Sequence, residues 1–209
     1  MSDNPFMSSD FIARARARLA VPPPGTSPGD HVLNPGQMDM ERVMAVAKPA
    51  AVLIGLIDRP EGATVLLTER ASHLRDHSGQ IAFPGGRIDP QDASPLAAAL
   101  REAEEEVGLA RDHVAPLGEL DAYYTGSGYR ITPIVAQIAT PFALRLNAEE
   151  VADAFETPLA FLMNEANHQR QSREWKGLER RFYAMPWNNR YIWGATAGIL
   201  RNLYERLYP

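Results

Sequence analysis

The chain contains no cysteine among its 209 residues, and this absence excludes several kinds of site. Without thiols there can be no disulfide framework, no thiolate metal site and no cysteine nucleophile, and the composition fits a cytoplasmic protein. No apolar run approaches the roughly 18 residues that a membrane-spanning helix needs, so no membrane association is predicted. A basic surplus is also lacking, because 21 Lys plus Arg face 26 Asp plus Glu, and this disfavours nucleic acid as a partner.

The acidic surplus lies in one short window of the chain. Residues 89–106 contain six acids and one base, whereas the rest of the chain contains 20 of each. The window therefore accounts for the whole net charge of −5. Clusters of one sign usually form a solvated face, a repelling tail or a cation site, and the neighbouring residues distinguish these.

The first quarter of the chain differs in pattern from the rest. Residues 11–20 predict a short accessory helix with Asp10 as its N-cap, and residues 21–30 are rich in proline and glycine, which predicts an irregular connection. We therefore predict an N-terminal helix and Pro-rich extension over residues 1–47 and a single domain over residues 48–209.

Within that domain, predicted strands alternate with predicted helices. Apolar runs bounded by turn residues predict strands at residues 50–58 and 63–70, two strands within 118–138, and a short hairpin over 180–189. Helical patterns cover residues 95–107, 147–165 in two pieces broken before Pro158, and 195–207. Pro133 cannot donate a ladder hydrogen bond and is expected at an edge or bulge. The alternation predicts an α/β or α+β fold with a mixed sheet.

The acidic window includes a well-delimited helix. Ser94 is suited to the N-cap, Pro95 to the first helical position and Gly108 to the residue just past the end. An apolar stripe runs along one side, formed by Leu96, Leu100, Ala103 and Val107. The helix is therefore expected to bury that side and to present its charges on the others.

Three carboxylates share a second side of this helix. Glu102, Glu105 and Glu106 are spaced i, i+3 and i+4, and side chains at those spacings are neighbours. Such a set is more often a solvated acidic face than a ligand set. The preceding Phe-Pro-Gly-Gly loop favours the second interpretation, because a glycine loop can offer a backbone carbonyl and Mg²⁺ prefers carboxylate and carbonyl oxygens.

The combination resembles the Nudix box. Its second half, R-E-U-x-E-E-x-G-U with U apolar, is filled by Arg101, Glu102, Ala103, Glu105, Glu106, Gly108 and Leu109. The first half is one residue longer than the pattern: its acidic position falls on Asp92 counted from Gly86, but on Ala93 counted from Arg101. A role for Asp92 is therefore open.

Residues 66–86 further resemble the coenzyme A pyrophosphatase branch of the Nudix hydrolases. The matching residues are Leu66, Leu67, Thr68, Arg70, Ala71, Arg75, Gly79 and residues 83–86. The resemblance implies an α/β/α sandwich with a mixed sheet between helices. It also implies hydrolysis of the pyrophosphate bond of coenzyme A to 4′-phosphopantetheine and adenosine 3′,5′-bisphosphate, with Mg²⁺ or Mn²⁺ as cofactor.

Roles for individual residues follow from the resemblance. The metal ligands would be Glu102, Glu105, Glu106 and the Gly85 carbonyl, with Glu102, Glu105 and Arg101 as the catalytic set and Arg101 holding the carboxylates in place. The substrate-binding residues would be Arg70, Arg75 and Arg87, whose guanidinium groups suit phosphate. The general base is open between a box glutamate and Glu149, Glu150 or Glu156.

Other functions are compatible with the same residues. The substrate could be another nucleoside diphosphate derivative, such as ADP-ribose or a dinucleotide polyphosphate. A non-catalytic Nudix-fold binding module is disfavoured because such modules typically lose the box carboxylates, and all are present here. Relatives of this size often form dimers, which leaves a homodimer open beside a monomer.

Overall fold

The computed structural model describes residues 6–21, 28–74, 77–175 and 177–208. Within them the helices are α1 Ser8–Leu19, α2 Asp30–Leu33, α3 Met40–Val46, α4 Pro95–Val107, α5 Leu159–Leu162 and α6 Ala195–Leu207. The strands are β1 Lys48–Ile57, β2 Thr64–Arg70, β3 Ile81–Ala82, β4 Gly85–Arg87, β5 Val114–Glu119, β6 Tyr123–Tyr124, β7 Tyr129–Ile138, β8 Val151–Pro158, β9 Gln169–Trp175, β10 Leu178–Trp187 and β11 Arg190–Trp193. None of these helices has the length and apolar character needed to span a membrane.

A mixed sheet forms the centre of the molecule. Strands β1 and β7 run parallel along their whole length, and the order through them is β3-β2-β1-β7-β5. The remaining strands join antiparallel, with β4 on β1, β6 on β7 and β8 on β2. The predicted hairpin of residues 50–58 and 63–70 is confirmed by the antiparallel pairing of β1 with β2.

Both faces of this sheet are apolar because alternate residues of a strand point to opposite faces. In β1, Leu53 and Ile57 join a core cluster with α4, whereas Ile54 and Leu56 join a second cluster with α1 and α6. Helices therefore cover both faces, and the predicted α/β fold with a mixed sheet between helices is confirmed.

The N-terminal helix is part of the second cluster. Phe11 and Ala15 of α1 are fully buried, and the Arg206 guanidinium of α6 donates to the Arg18 carbonyl at 2.7 Å. The helix begins earlier than predicted, and Asp10 is not its cap: Asp10 lies in the first turn and accepts from the Arg14 Nε at 2.7 Å. Although the predicted extension over residues 1–47 precedes β1, its helix packs into the core.

Pro133 lies inside β7, in the middle of the sheet, so the expectation of an edge or bulge there was wrong. Strands β5 and β6 pair with β7 on either side of Pro133, and neither pairs with it. Its missing N–H therefore costs no antiparallel ladder bond, and its carbonyl accepts from the Leu120 N–H at 2.9 Å. The neighbouring strand β5 carries the irregularity instead, between Pro116 and Gly118.

Residues 147–165 do not form the predicted pair of helices. Strand β8 occupies Val151–Pro158 and pairs along the length of β2, and only the four residues of α5 are α-helical. Helix propensity is a weak prior, and here pairing with a buried neighbouring strand overrides it. This correction matters because the segment preceding β8 enters the candidate site.

A smaller antiparallel sheet of β9, β10 and β11 follows in the chain. The hairpin predicted over residues 180–189 is displaced: that range holds β10 and the turn after it, whereas the second strand, β11, begins at Arg190. Strand β9 was not predicted because its sequence is largely polar. The closing helix α6 is confirmed, and it buries Ile199, Leu203 and Leu207 as its spacing indicated.

Candidate active site

Helix α4 positions the acidic residues, and its ends are formed as the sequence predicted. The Ser94 hydroxyl accepts from the Ala97 N–H at 3.1 Å, Pro95 occupies the first turn, and Gly108 closes the helix at a φ of 69°. Ala98, Ala99, Ala103 and Val107 form its buried side, so the predicted stripe is shifted by part of a turn, with Leu100 only half-buried. Rigid caps and a buried side fix the rotation of the helix, and hence the directions of its carboxylates.

The glycines of β4 admit two of these carboxylates to close contact with the strand. The Gly85 N–H donates to Glu106 Oε2 at 3.1 Å, and Gly85 itself has a φ of 153°. A Cβ atom on Gly86 would lie 2.5 Å from the Glu102 carboxyl carbon. A larger residue at position 86 would therefore displace Glu102, which explains why a glycine is needed there.

Three carboxylates converge beneath this strand. Oxygen atoms of Glu102, Glu106 and Glu150 all lie within 4.8 Å of one another. Glu150 comes from the segment before β8, which is held by its carbonyl accepting from the Ala71 N–H at 2.9 Å. The Asn147 amide donates to the Glu150 carboxylate at 3.1 Å and orients it. We call Glu102, Glu106 and Glu150 the carboxylate triad.

Placing three carboxylates this close together is electrostatically unfavourable. Burial raises the pKa of Glu106 to about 7, and the charges of Glu102 and Glu150 add to the effect, while the Gly85 N–H and Arg70 oppose it. Burial likewise raises the pKa of Glu102, although Arg101 opposes it. Grouped oxygen donors at this separation fit a divalent cation such as Mg²⁺ or Mn²⁺, whose charge would offset the repulsion.

Arg101 connects the triad to the loop before α4. Its guanidinium makes a two-point contact with Asp92, with Nε at 3.1 Å and Nη2 at 2.9 Å from the carboxylate, and the contact lowers the Asp92 pKa. Its Nη1 donates to Glu102 at 3.0 Å and to Glu105 at 2.9 Å, and Nη2 also reaches the Arg87 carbonyl. Arg101 thus holds Glu102 in place, and Asp92 holds Arg101.

Glu105 does not join the triad. Its side chain is 53% exposed and its described contact is with Arg101. Of the carboxylates predicted from the box, the structure brings Glu102 and Glu106 together and adds Glu150, which the sequence offered only as one of three candidate bases. Nothing local in the sequence singles out Glu150, because its position depends on the pairing of β8 with β2.

The predicted substrate-binding arginines differ in their surroundings. Arg70 Nη1 lies 3.9 Å from Glu106, and its buried Nε has no hydrogen-bond partner among the described residues. Arg87 is exposed at the end of β4, and its carbonyl accepts from Arg101 Nη2. Arg75 lies outside the described residues.

The other two candidate bases lie outside the triad. Glu149 is exposed, next to Glu150 in the chain. Glu156 instead binds Arg59 at 2.5 Å and accepts from the Thr64 hydroxyl, contacts that lower its pKa. These contacts satisfy Glu156 on β8 and indicate a structural role for it.

Replacing Glu156 by Gln is expected to lower the free energy of unfolding by about 1 kcal/mol at pH 7, because Arg59 is a third exposed and solvent screens the pair. The folded-state pKa is lowered, so the contribution is present above the ordinary value of 4.5 and fades as the pH falls through the folded value. Urea unfolding of both proteins across acidic and neutral pH measures this. Glu149→Gln is the matched control, and a difference that does not change with pH would contradict the assignment.

The comparison with known proteins agrees with this geometry. The model of the NUDIX domain matches residues 47–177, more than half of the chain and a range that includes the triad. The chain belongs to the Nudix family. Proteins named Uncharacterized Nudix hydrolase NudL, from Yersinia pestis (strain Pestoides F) and Yersinia pseudotuberculosis serotype O:1b (strain IP 31758), are each 41% identical to it over 199 residues. These alignments cover 95% of this chain and 94% of each relative.

Among solved structures, the Nudix hydrolase RenU from M. Smegmatis is 27% identical, with a TM-score of 0.46. That alignment covers 54% of this chain and 71% of RenU. Family membership, established by the domain match and the NudL relatives, identifies the chain as a Nudix pyrophosphohydrolase that acts on a nucleoside diphosphate derivative.

Proposed function

We propose that this Nudix hydrolase cleaves the pyrophosphate bond of coenzyme A, giving 4′-phosphopantetheine and adenosine 3′,5′-bisphosphate, with Mg²⁺ or Mn²⁺ as cofactor. The carboxylate triad carries the proposal of a metal-dependent hydrolase, because three oxygen donors within 4.8 Å of one another, two on α4 and one on the segment before β8, suit such a cation. The choice of coenzyme A is supported by residues 66–86, which resemble the branch that acts on it. A cytoplasmic location remains a prediction.

The diphosphate and the triad are both negatively charged. A bound divalent cation would neutralise phosphate oxygens and lower the pKa of a water molecule. Glu102 and Glu106 would hold it from α4, and Glu150 or the Gly85 carbonyl would complete the protein ligands. Arg101 keeps Glu102 at its place through a hydrogen bond of 3.0 Å, so we assign Arg101 as a positioning residue. Glu105, on the exposed side of Arg101, remains a predicted ligand at the rim of the site.

The reaction needs a group that accepts a proton from the attacking water. As the water oxygen forms a bond to one phosphorus, the bond from that phosphorus to the bridging oxygen breaks and the bridging oxygen leaves with the other phosphate. Of the three candidate bases outside the box, Glu150 alone lies in the triad, where Asn147 orients it. We assign Glu150 as the general base or an additional ligand, and leave Glu149 and Glu156 out of the chemistry.

Coenzyme A carries a 3′-phosphate that most nucleoside diphosphate derivatives lack. Arg87 is exposed at the end of the glycine strand β4, and the buried Nε of Arg70 has no hydrogen-bond partner in the described structure. Guanidinium groups bind phosphate through charge-assisted hydrogen bonds. We assign Arg70 and Arg87, with Arg75 from the sequence prediction, to the substrate phosphates.

A substrate panel tests the proposal. Coenzyme A, dephospho-coenzyme A, ADP-ribose and a dinucleotide polyphosphate are incubated with the protein and with Mg²⁺, Mn²⁺ or EDTA, and products are separated by chromatography. We expect adenosine 3′,5′-bisphosphate from coenzyme A only with metal, and a kcat/KM roughly tenfold or more above that of dephospho-coenzyme A, which lacks the 3′-phosphate.

Two other outcomes of the panel would each reject part of the proposal. If ADP-ribose or the dinucleotide is cleaved and coenzyme A is not, the substrate assignment is wrong while the Nudix chemistry stands. If no substrate is cleaved with either metal, the alternative of a binding module replaces the proposal. Arg87→Ala is the matched variant. It should reduce the ratio of kcat/KM for coenzyme A to kcat/KM for dephospho-coenzyme A.

A further inference from the structure

The smaller sheet protects one of its strand edges and leaves another open. Strand β11 covers only the last residues of β10, from Ala184 onward. Beyond it, side chains cap the same edge: the Asn34 amide donates to the Arg181 carbonyl at 2.9 Å and its oxygen accepts from the Arg181 N–H at 2.8 Å. Gln37 likewise donates to the Glu179 carbonyl at 2.9 Å. This edge of β10 is therefore satisfied without another strand.

The two hydrogen bonds between Asn34 and Arg181 show which way the backbone groups of β9 point. Since both backbone groups of Arg181 point to Asn34, they point away from β9. Ser172 lies opposite Arg181 in the antiparallel register, so its N–H and C=O also point outward, to the far edge of β9. The same alternation turns Arg170 and Glu174 outward. Within the described part of the chain, no group bonds to these outward backbone atoms.

The charges of the β9–β10 hairpin are poorly balanced within one molecule. Glu174 lies directly opposite Glu179, and Arg173 lies directly opposite Arg180. Like charges at directly opposed positions destabilise a strand pair. Arg181 pairs with Glu179 at 3.3 Å, whereas Glu174 has no ion pair among the described residues. Among the residues that the structure describes, the hairpin thus presents an acidic side chain at an open edge without a paired cation.

We propose that the outer edge of β9 pairs with the same edge of a second copy of this chain, antiparallel about a two-fold axis at Ser172. In this register Arg170 lies opposite Glu174 of the partner subunit, and by symmetry the contact occurs twice. Ser172 would exchange both backbone hydrogen bonds with its symmetry mate, because its N–H and C=O face outward. The two small sheets would become one continuous six-stranded sheet.

The charges select this register over its neighbours. Centring the pair on Arg173 would place two guanidinium groups directly opposite each other, and centring it on Gln171 would leave Glu174 without a cation. Self-complementary charges therefore favour a second copy over an unrelated strand. Trp175, which is 54% exposed at the end of β9, would lie opposite Gln169 of the partner subunit and lose exposure.

Charge swaps test the interface in the full chain. Sedimentation over a concentration series should show a monomer–dimer equilibrium. Arg170→Glu and Glu174→Arg should each raise the dimer Kd by about tenfold or more, because each creates two like-charged contacts across the axis. The double swap should restore a Kd close to that of the unaltered chain. Glu41→Arg, an equal change of charge on α3, should leave the Kd unchanged.

A proline substitution tests whether the dimer depends on backbone pairing of the strands and not only on surface charge. Ser172→Pro removes an N–H that points outward and leaves the β9–β10 ladder bonds intact, so it should abolish dimerisation without lowering the hydrolase activity. A chain that is monomeric at every concentration overturns the proposal. So does a dimer whose Kd neither the single swaps nor the proline variant raises, because its interface would then lie elsewhere.

Discussion

Replacing Glu106 by Gln is expected to lower kcat by about 10³-fold or more while leaving the fold intact. The side chain is 3% exposed, lies in the triad and accepts from the Gly85 N–H. Gln keeps the shape and one acceptor oxygen but removes the negative charge that a divalent cation requires. Loss of several kcal/mol of charge stabilisation in the transition state corresponds to this fold-change. Steady-state hydrolysis with saturating Mg²⁺ measures it.

In the absence of metal, Glu106→Gln is expected to preserve or raise stability, although it lowers activity when metal is present. Because burial raises the pKa of Glu106 to about 7, its ionised form destabilises the folded chain at higher pH. Glu106→Gln removes that cost. We therefore expect the Tm of the variant in EDTA at a pH above 7 to equal or exceed that of the unaltered protein, so that lost activity cannot be attributed to unfolding.

Glu104 supplies the matched control, since it lies on the same helix but is exposed and pairs with Arg111. Glu104→Gln should retain nearly full activity. Full activity in Glu106→Gln would rule out the proposed role of this carboxylate in holding the cation, whatever the metal dependence of the enzyme.

The helix that carries Glu106 illustrates what could be predicted from the sequence. Its limits follow from local chemistry, because Ser94 and Gly108 act within one turn of the helix they bound. The directions of its carboxylates follow less completely. An i, i+3, i+4 set spans a wide arc of a helix, and only packing shows that Glu106 points inward while Glu105 points to solvent.

The rest of the site depends on contacts between distant parts of the chain. Glu150 reaches the triad because β8 pairs with β2, in a register where Arg70 lies opposite Val151. The local sequence of residues 147–165 favours a helix, so local patterns predicted the wrong element and could not single out Glu150 from the other candidate bases. Asp92 is a different case. The length of the loop left its role open, and the two-point contact with Arg101 assigns it to the site.

The second large effect concerns stability and lies far from the triad. Phe11→Ala is expected to lower the free energy of unfolding by about 3–5 kcal/mol, the usual cost of deleting a fully buried aromatic side chain. Phe11 is 0% exposed and belongs to the same core cluster as Leu203 and Leu207 of α6. For a chain of this length the change corresponds to roughly 6–20 °C in Tm. Thermal and urea unfolding measure it, with the exposed Arg16→Ala on the same helix as control.

The outcome decides whether the predicted division at residue 48 is a boundary of folding. A loss of the expected size means that α1 covers one face of the central sheet as an integral layer, so residues 48–209 alone would expose the apolar surface that α1 now buries. Arg16→Ala should change the stability by less than about 0.5 kcal/mol, because exposed substitutions seldom do more. Equal stability of Phe11→Ala and the unaltered chain would instead show that α1 contributes little to the core. The boundary that the sequence predicts at residue 48 would then also be the boundary of the folding unit.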